Sequence, residues 1–201
     1  IGTGANCIYP MLGSSIYNWN FVASDVDPVA IESVENIVAK NAKFEGKIEA
    51  VFQNNKGLIF NGILNKEDHY DFTMCNPPFY KSRKDALETN KKKVTNLSKG
   101  TKTESSLNFG GATNELWYKG GELAFILKMI NESVFYKRNC CWFTTLVSRG
   151  ENLDAIFNAL ENEGTIYEAI EMKQGNKVTR FVAWTFLSDK ERQTWFANKN
   201  K

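Results

Sequence analysis

The chain has 201 residues, of which 42% are hydrophobic and 24% are charged, and its formal net charge is +2. This length and composition suit a globular α/β protein with a full core. The small net charge excludes nucleic-acid binding driven by a global positive field, so any such binding depends on local patches. No apolar run approaches the roughly 20 residues of a membrane helix, and we expect no membrane partner.

The cysteine and histidine content argues against a metal centre. The four cysteines, Cys7, Cys75, Cys140 and Cys141, form no CxxC pair, and His69 is the single histidine. We therefore expect no metal site and a reduced, cytoplasmic setting. His69 is interpreted as a surface-loop residue, and Cys140 and Cys141 as inert core residues of a buried strand.

The predicted elements alternate between helices and strands. A glycine-rich turn runs into a helix, and it is followed by a strand at 21–27, a helix from Pro28, and strands at 47–53 and 70–75. A helix at 120–137, a strand at 140–147 and a helix at 151–164, which Gly164 closes, come next. Strands at 165–172 and 180–187, joined by a turn at 173–179, complete the chain. The alternation predicts an α/β fold with a mostly parallel sheet and helices on both faces. The closing hairpin predicts one antiparallel strand. We expect a single domain over 1–201.

One segment differs in composition. Between positions 81 and 108 there are eight basic and three acidic residues, which gives a local charge of +5. A polar loop of this length inside a compact domain is usually functional or disordered. We predict a flexible basic loop.

The opening letters IGTGAN contain two glycines, Gly2 and Gly4, around Thr3. Glycines let the backbone turn tightly and approach a ligand closely, and the following helix start offers free N–H groups. An ordinary strand-to-helix turn is an equally good interpretation of this motif alone. Cys7 stands where a GxGxxG motif has its third glycine, which argues against a dinucleotide site.

Asp25 lies 21 residues after Gly4, at the end of the next predicted strand. A carboxylate at this place can accept hydrogen bonds from both hydroxyls of a ribose. The alternative is that Asp25 or Asp27 only caps the helix that begins at Pro28. We assign the cap to Asp27 and the ligand to Asp25, so the two motifs together favour a nucleoside-bearing cofactor.

The stretch Asn76-Pro77-Pro78-Phe79 follows a predicted strand, at the sheet edge where open parallel sheets bind ligands. The prolines fix their own φ angles and so rigidify the neighbouring acceptors. The Asn76 side-chain oxygen and the Pro77 carbonyl can hold the two N–H bonds of an exocyclic base amine, and Phe79 can stack on the base. A rigid loop that only ends the strand is the alternative interpretation.

The order GTG, acid, NPPF resembles the Class I, Rossmann-like, S-adenosylmethionine-dependent methyltransferases that act on amino nitrogens. The blocks IGTGANCIYP, MCNPPFY, LNFGG, GGELAFI, FTTLVSRGENL and RFVAWTF resemble, more narrowly, the bacterial large-subunit ribosomal RNA adenine-N6 methyltransferase family. That family is related to the eukaryotic U6 snRNA adenine methyltransferase. The likeness covers almost the whole chain.

The resemblance implies a specific set of site residues. It implies transfer of a methyl group from S-adenosylmethionine to N6 of one adenine in large-subunit ribosomal RNA, or in its assembly particle. The implied cofactor site comprises Gly2, Thr3, Gly4, Asp25, Lys56 and Asn76. The implied catalytic contacts to the adenine come from Asn76, Pro77, Pro78 and Phe79.

The expected RNA contacts are Lys81, Arg83, Lys84, Lys91, Lys92, Lys93 and Arg149. Arg149 can instead pair with Glu151, and the lysine run can be a solvated face. Trp117 and Tyr118 can pack or stack on RNA. The family motif has an acid and a strand before IGTGA, and an upstream RNA-binding segment, so we expect a chain truncated at its N-terminus. We expect a monomer.

Other acceptors remain open at this point. NPP-type loops also serve methyltransferases of DNA adenine and of protein glutamine. A module that binds RNA without catalysis is the alternative from another class.

Overall fold

A computed structural model describes residues 1–65, 67–82, 84, 117–174 and 177–197. The chain divides into two compact units. The N-terminal unit comprises Gly2–Phe52 and Pro78–Ala124. The C-terminal unit comprises Ile1, Gln53–Pro77 and Phe125–Lys201.

The N-terminal unit is built around a parallel strand pair. Between residues 2 and 52 its helices and strands are α1 (Ile8–Tyr17), β1 (Phe21–Asp25), α2 (Pro28–Ala39) and β2 (Ile48–Phe52). β1 and β2 pair in parallel, with Phe21 opposite Ile48 and Asp25 opposite Phe52. Parallel neighbours need a crossover connection, which α2 supplies. Their shared core contains Cys7, Ala23, Val34, Phe44 and Ile48.

The start of α2 follows the sequence prediction. Pro28 occupies the first helical turn, where its fixed φ suits the helix and its missing N–H costs nothing. Asp27 precedes it, and its Oδ1 accepts a hydrogen bond from the Val29 N–H at 3.0 Å. The assignment of the helix cap to Asp27 is therefore confirmed.

The C-terminal unit contains a four-stranded sheet. Its strands are β3 (Tyr70–Phe72), β4 (Cys140–Val147), β5 (Ile166–Gln174) and β6 (Lys177–Thr185), in the order β3-β4-β6-β5. β3 is parallel to β4, and β6 is antiparallel to both β4 and β5. Only β6 therefore runs against the others, which confirms a mostly parallel sheet with one antiparallel strand.

Within the described part of the chain, the helices after α2 are α3 (Gly121–Ser133), α4 (Leu153–Asn162) and α5 (Asp189–Ala197). Short 3-10 turns stand at Ala42–Phe44, Val134–Tyr136 and Gly150–Asn152. After α4, Gly164 adopts a φ of +66°, and its N–H bonds the Glu161 carbonyl at 3.0 Å. Glycine closes a helix in this left-handed conformation at little cost, as the sequence predicted.

Aromatic residues form the centre of the C-terminal unit. Phe143 on β4 is fully buried and lies 5.4 Å from Phe60 and 5.7 Å from Trp184, measured between ring centroids. The Trp184 indole N–H donates to the Ser133 hydroxyl at 3.0 Å. β4 alternates fully buried with half-buried residues after Cys141, so the predicted buried strand is confirmed.

Two features differ from the sequence prediction. The hairpin is longer, because Gln174 pairs with Lys177 and only two residues join β5 to β6, where the sequence predicts a turn over 173–179. The two joining letters are glycine and asparagine, which are residue types of two-residue hairpins. The second feature is α5, which the sequence analysis missed.

Candidate active site

The glycine-rich turn precedes α1 and lies beside the end of β1, with two of its glycines in the left-handed region. Gly2 and Gly4 both have a φ of +63°. The Thr3 N–H donates to the Ser24 carbonyl at 3.0 Å, and the Ser33 hydroxyl of α2 donates to the Ala5 carbonyl at 2.8 Å. The turn is therefore held from β1 on one side and from α2 on the other.

Cys7 completes this turn in an unusual conformation. Its φ is +47°, in the left-handed region that glycine favours, and it stands where a GxGxxG motif has its third glycine. The thiol is fully buried and accepts a contact of 3.6 Å from the Thr3 hydroxyl. Burial raises the pKa of the Cys7 thiol, which keeps it protonated and unreactive.

Asp25 bonds the glycine-rich turn with one carboxylate oxygen and the cap residue of α2 with the other. Oδ2 accepts the Gly4 N–H at 2.9 Å, and Oδ1 accepts the Asp27 N–H at 2.9 Å. The side chain is only 3% exposed. Sequence reasoning missed this structural role. Each oxygen keeps a second lone pair, so the ribose role of Asp25 stays a prediction.

The backbone of this turn is accessible to a ligand. A Cβ placed on Gly2 would meet no heavy atom within 4 Å, so open space lies beside this backbone. A side chain at this φ would nevertheless be strained. Thr3 and Gly4 are half-buried beside it. The residues present therefore fit a cofactor that contacts backbone at this turn.

In the C-terminal unit, the segment before the NPPF motif pairs with β4 beyond the end of β3. The Thr73 N–H donates to the Trp142 carbonyl at 2.9 Å, and the Leu146 N–H donates to the Cys75 carbonyl at 2.9 Å. Between these bonds, the Thr73 hydroxyl oxygen accepts the Thr144 N–H at 3.1 Å. On the next residue, the Met74 carbonyl accepts a hydrogen bond from the Ile1 nitrogen at 2.9 Å.

Asn76 follows the last of these bonds. It is exposed, and no hydrogen bond holds its side chain within the described part of the chain. Pro77 is buried and has no N–H with which to continue the pairing. Pro78 and Phe79 are half-buried and belong to the N-terminal unit. The two prolines thus end the strand and leave the Asn76 amide open to solvent.

Lys56 lies on the 53–61 loop, which follows β2 directly. The Leu58 N–H donates to the Asn55 carbonyl at 2.9 Å, and the Gly57 N–H donates to the Asn55 Oδ1 at 2.9 Å. The Lys56 side chain is exposed at the tip of this turn. Hydrogen bonds from the loop to the side chains of Gln53 and Glu132 determine its shape, and sequence reasoning did not predict them.

The basic residues predicted to contact RNA divide into three groups. Lys81 and Lys84 are exposed, whereas Arg83, Lys91, Lys92 and Lys93 lie outside the described residues. Arg149 pairs with Glu151 at 3.5 Å, with 48% and 74% of the side chains exposed. The ion pair weighed in the sequence analysis is therefore present, and at such exposure it contributes little stability.

The polar segment after the NPPF motif is joined at its base. Tyr80 forms a parallel bridge with Trp117, and the Tyr118 N–H donates to the Tyr80 carbonyl at 3.0 Å. Trp117 and Tyr118 are half-buried. Tyr80 and Trp117, which flank this segment, are therefore paired directly after Phe79.

The residues that the structure describes contain no group of three or more His, Cys, Asp or Glu side chains arranged to hold a metal ion. No helix within those residues is long and apolar enough to cross a membrane.

The profile of a protein family described as RNA methyltransferase matches residues 1–188. The chain belongs to this RNA methyltransferase family. Ribosomal RNA large subunit methyltransferase F of Shewanella denitrificans is 45% identical over 204 residues, a match that covers 97% of this chain and 57% of the relative. The protein of the same name from Cytophaga hutchinsonii is 44% identical over 202 residues, covering 100% and 63%. The chain thus spans a little over half the length of these relatives.

Solved structures of RNA methyltransferase domains have the same fold. The hMettl16 catalytic domain in complex with MAT2A 3′UTR hairpin 1 matches with a TM-score of 0.75 and 30% identity, over 94% of this chain and 63% of that chain. The N-terminal domain of human METTL16 in complex with SAH matches with a TM-score of 0.68 and 28% identity, over 94% and 60%. The predicted Class I methyltransferase fold is confirmed.

Proposed function

We propose that this RNA methyltransferase family member transfers a methyl group from S-adenosylmethionine to N6 of an adenine in large-subunit ribosomal RNA. The observation that carries the proposal is the exposed Asn76 amide, followed by two prolines, at the point where strand pairing with β4 ends. A neutral amide oxygen placed there suits an amine that must be held without being protonated.

The named relatives support both substrate and cofactor. The relatives at about 45% identity carry the name of a large-subunit ribosomal RNA methyltransferase. METTL16 structures contain an RNA hairpin in one case and SAH, the demethylated cofactor, in another. Ribosomal RNA as substrate also favours a cytoplasmic protein. The expectation of a monomer stays a prediction.

The chemistry explains why an amide and a carbonyl are useful. The lone pair of an adenine N6 nitrogen is delocalised into the ring, so the free amine is a poor nucleophile. Two acceptors that hold its N–H bonds favour the geometry in which the lone pair points out of the ring plane. The Asn76 Oδ1 and the Pro77 carbonyl are the two acceptors that we assign to this task.

Phe79 and the prolines fix the base. Stacking of a base on an aromatic ring contributes about 1–3 kcal/mol, and we assign this contact to Phe79. Pro77 and Pro78 hold their φ angles, so the acceptors need little reorganisation when the base arrives. The transferred group must meet the nitrogen in line, so the adenine must be unpaired or flipped out. Catalysis then comes from positioning rather than from a covalent enzyme intermediate.

The cofactor site is assigned to Gly2, Thr3, Gly4, Asp25, Lys56 and Asn76. When bound, the cofactor supplies an electrophilic methyl group. Gly2 presents open backbone, and Asp25 bonds the turn at the Gly4 N–H and the start of α2 at the Asp27 N–H. RNA phosphates are assigned to the basic residues after the motif and to Arg149, so binding should weaken with added salt.

The test is the Asn76→Ala variant of the full-length protein. We expect it to bind S-adenosylhomocysteine as the wild type does, while methylation of large-subunit ribosomal RNA falls by about a hundredfold or more. Asn162→Ala, at the exposed end of α4, is a matched control that should keep full activity.

Parallel assays with DNA and with a protein acceptor decide the substrate class. Wild-type methylation of either in preference to ribosomal RNA would contradict the proposed substrate. Undiminished RNA methylation by the Asn76→Ala protein would contradict the catalytic assignment.

A further inference from the structure

Glu132 is a buried carboxylate to which the proposed chemistry assigns nothing. It lies one residue before the end of α3, where the helix dipole disfavours a negative charge, and it is only 6% exposed. A charge in this position costs free energy unless strong partners compensate for it.

The partners of Glu132 are three consecutive backbone amides of the 53–61 loop. Its Oε2 accepts N–H groups from Ile59 and Phe60 at 2.9 Å each and from Asn61 at 3.4 Å. Its Oε1 makes no hydrogen bond among the described residues but lies 3.2 Å from the Lys128 ammonium. Consecutive amides that converge on one oxygen form an anion-binding nest, here filled by the protein's own carboxylate.

Gln53 ties the other end of the same loop. This side chain is 5% exposed, its Nε2 donates to the Asn61 carbonyl at 2.8 Å, and its Oε1 accepts the Asn55 N–H at 3.0 Å. Phe60 anchors the loop in the core, with its ring 6.2 Å from that of Tyr136. The tip that carries Lys56 is therefore held by bonds on both sides of it.

We infer that Glu132 is a positioning residue for the cofactor, which it serves by ordering the 53–61 loop that carries Lys56. The inference rests on the proposed function, since it takes the loop after β2 as part of the S-adenosylmethionine site. Fixing the loop before binding removes the cost of ordering it at the moment of binding. A loop that is correctly placed only a tenth of the time would raise the apparent Kd about tenfold.

The variants separate this role from plain stabilisation. Glu132→Ala removes the acceptor from all three amides, whereas Glu132→Gln keeps a neutral oxygen that can take the place of Oε2. Lys128→Met removes the ion pair and leaves the amide bonds. Ser133→Ala is the matched stability control, because this neighbouring buried hydroxyl bonds Trp184 and has no part in the loop.

The measurements are calorimetric binding of S-adenosylhomocysteine, KM for S-adenosylmethionine, and amide hydrogen exchange at 59–61, all on the full-length protein. We expect Glu132→Ala to weaken binding about tenfold or more, Glu132→Gln to weaken it less, and both to speed exchange at 59–61. KM should rise more than kcat falls. Ser133→Ala and Lys128→Met should bind within about twofold of the wild type.

Unchanged binding and exchange in Glu132→Gln, with a loss of stability like that of Ser133→Ala, would overturn the inference. The Glu132→Gln result decides the matter alone if Glu132→Ala does not fold. A wild-type protein without affinity for S-adenosylhomocysteine would instead overturn the proposed function and this inference with it. The wild-type measurement thus distinguishes the two failures.

Discussion

Asp25 provides a direct test of how the glycine-rich turn is held. The change Asp25→Asn keeps the size of the side chain but leaves it with one oxygen. Because Oδ2 accepts the Gly4 N–H and Oδ1 accepts the Asp27 N–H, the new NH2 group must face one of these donors in either orientation. One hydrogen bond is lost, and two donors are brought together in a buried place.

The magnitude follows from the burial of Asp25. A hydrogen bond to a charged group contributes about 1.5–3 kcal/mol, and an unsatisfied buried donor costs about 1–3 kcal/mol. Local relaxation offsets part of this sum, so we expect the free energy of unfolding to fall by about 2–3 kcal/mol. For a protein of this size such a loss lowers Tm by roughly 4–12 °C.

Asp27→Asn is the matched control. Both substitutions replace aspartate by asparagine, so they change charge and size equally. Asp27 is also buried, at 8% exposure, and lies two residues from Asp25. Among the described residues its side chain accepts one hydrogen bond, from the Val29 N–H, and asparagine caps helices about as well as aspartate. We expect a loss below about 0.5 kcal/mol.

The assay is urea denaturation followed by circular dichroism, with the slope checked for constancy between variants. Equal losses in the two variants would refute the reasoning, because the second acceptor oxygen would then contribute nothing. A stable Asp25→Asn protein that binds cofactor normally would also remove Asp25 from the proposed site.

Two further predictions concern titratable groups. All four cysteines are buried, and burial raises the pKa of Cys75 to about 11 and raises the pKa of Cys140 further. A thiol reagent at mildly alkaline pH should therefore modify none of the four in the native protein and all four in denaturant. Rapid labelling of the native protein would contradict the burial. The hydrogen bond from Arg138, with those from Ser188, lowers the pKa of Glu191 from 4.5 to about 2. This carboxylate therefore stabilises the fold above pH 4.5, and the contribution is lost as pH falls towards 2. The Glu191→Gln variant should lose less stability than the wild type over that interval in acid unfolding curves, and identical curves would contradict the assignment.

The sequence predicted the features that local chemistry determines. The Asp27 cap, the left-handed Gly164 and the end of strand pairing at the prolines each follow from the properties of one or two neighbouring residues. The single antiparallel strand followed from the closing hairpin. These signals need no knowledge of distant contacts, which is why sequence reasoning reached them.

The helix α5 carried a local signal that the sequence analysis overlooked. Ser188 and Glu191 form a capping box, with the Ser188 N–H donating to the Glu191 Oε2 at 2.8 Å and the Glu191 N–H to the Ser188 hydroxyl at 3.4 Å. The letters SDKE that produce this pattern are visible in the sequence. This helix could therefore have been predicted.

No local sequence signal indicates the hydrogen bonds between Glu132 and the 53–61 loop. Glu132 lies 73 residues from Ile59, and its partners are backbone amides, which every residue other than proline possesses. The second role of Asp25 was hidden for the same reason, because its partner is the Gly4 amide. When a side chain bonds a distant backbone amide, the type of the residue that supplies the amide does not indicate the contact.

The strand order β3-β4-β6-β5 has a consequence for synthesis of the chain on the ribosome. β6 is made after β4 and β5, yet it lies between them and bonds to both. The sheet of the C-terminal unit can close only after residue 185 has emerged, and until then β4 and β5 each present an unpaired edge. Nascent chains that stop before this point would therefore carry exposed strand edges that are prone to aggregation.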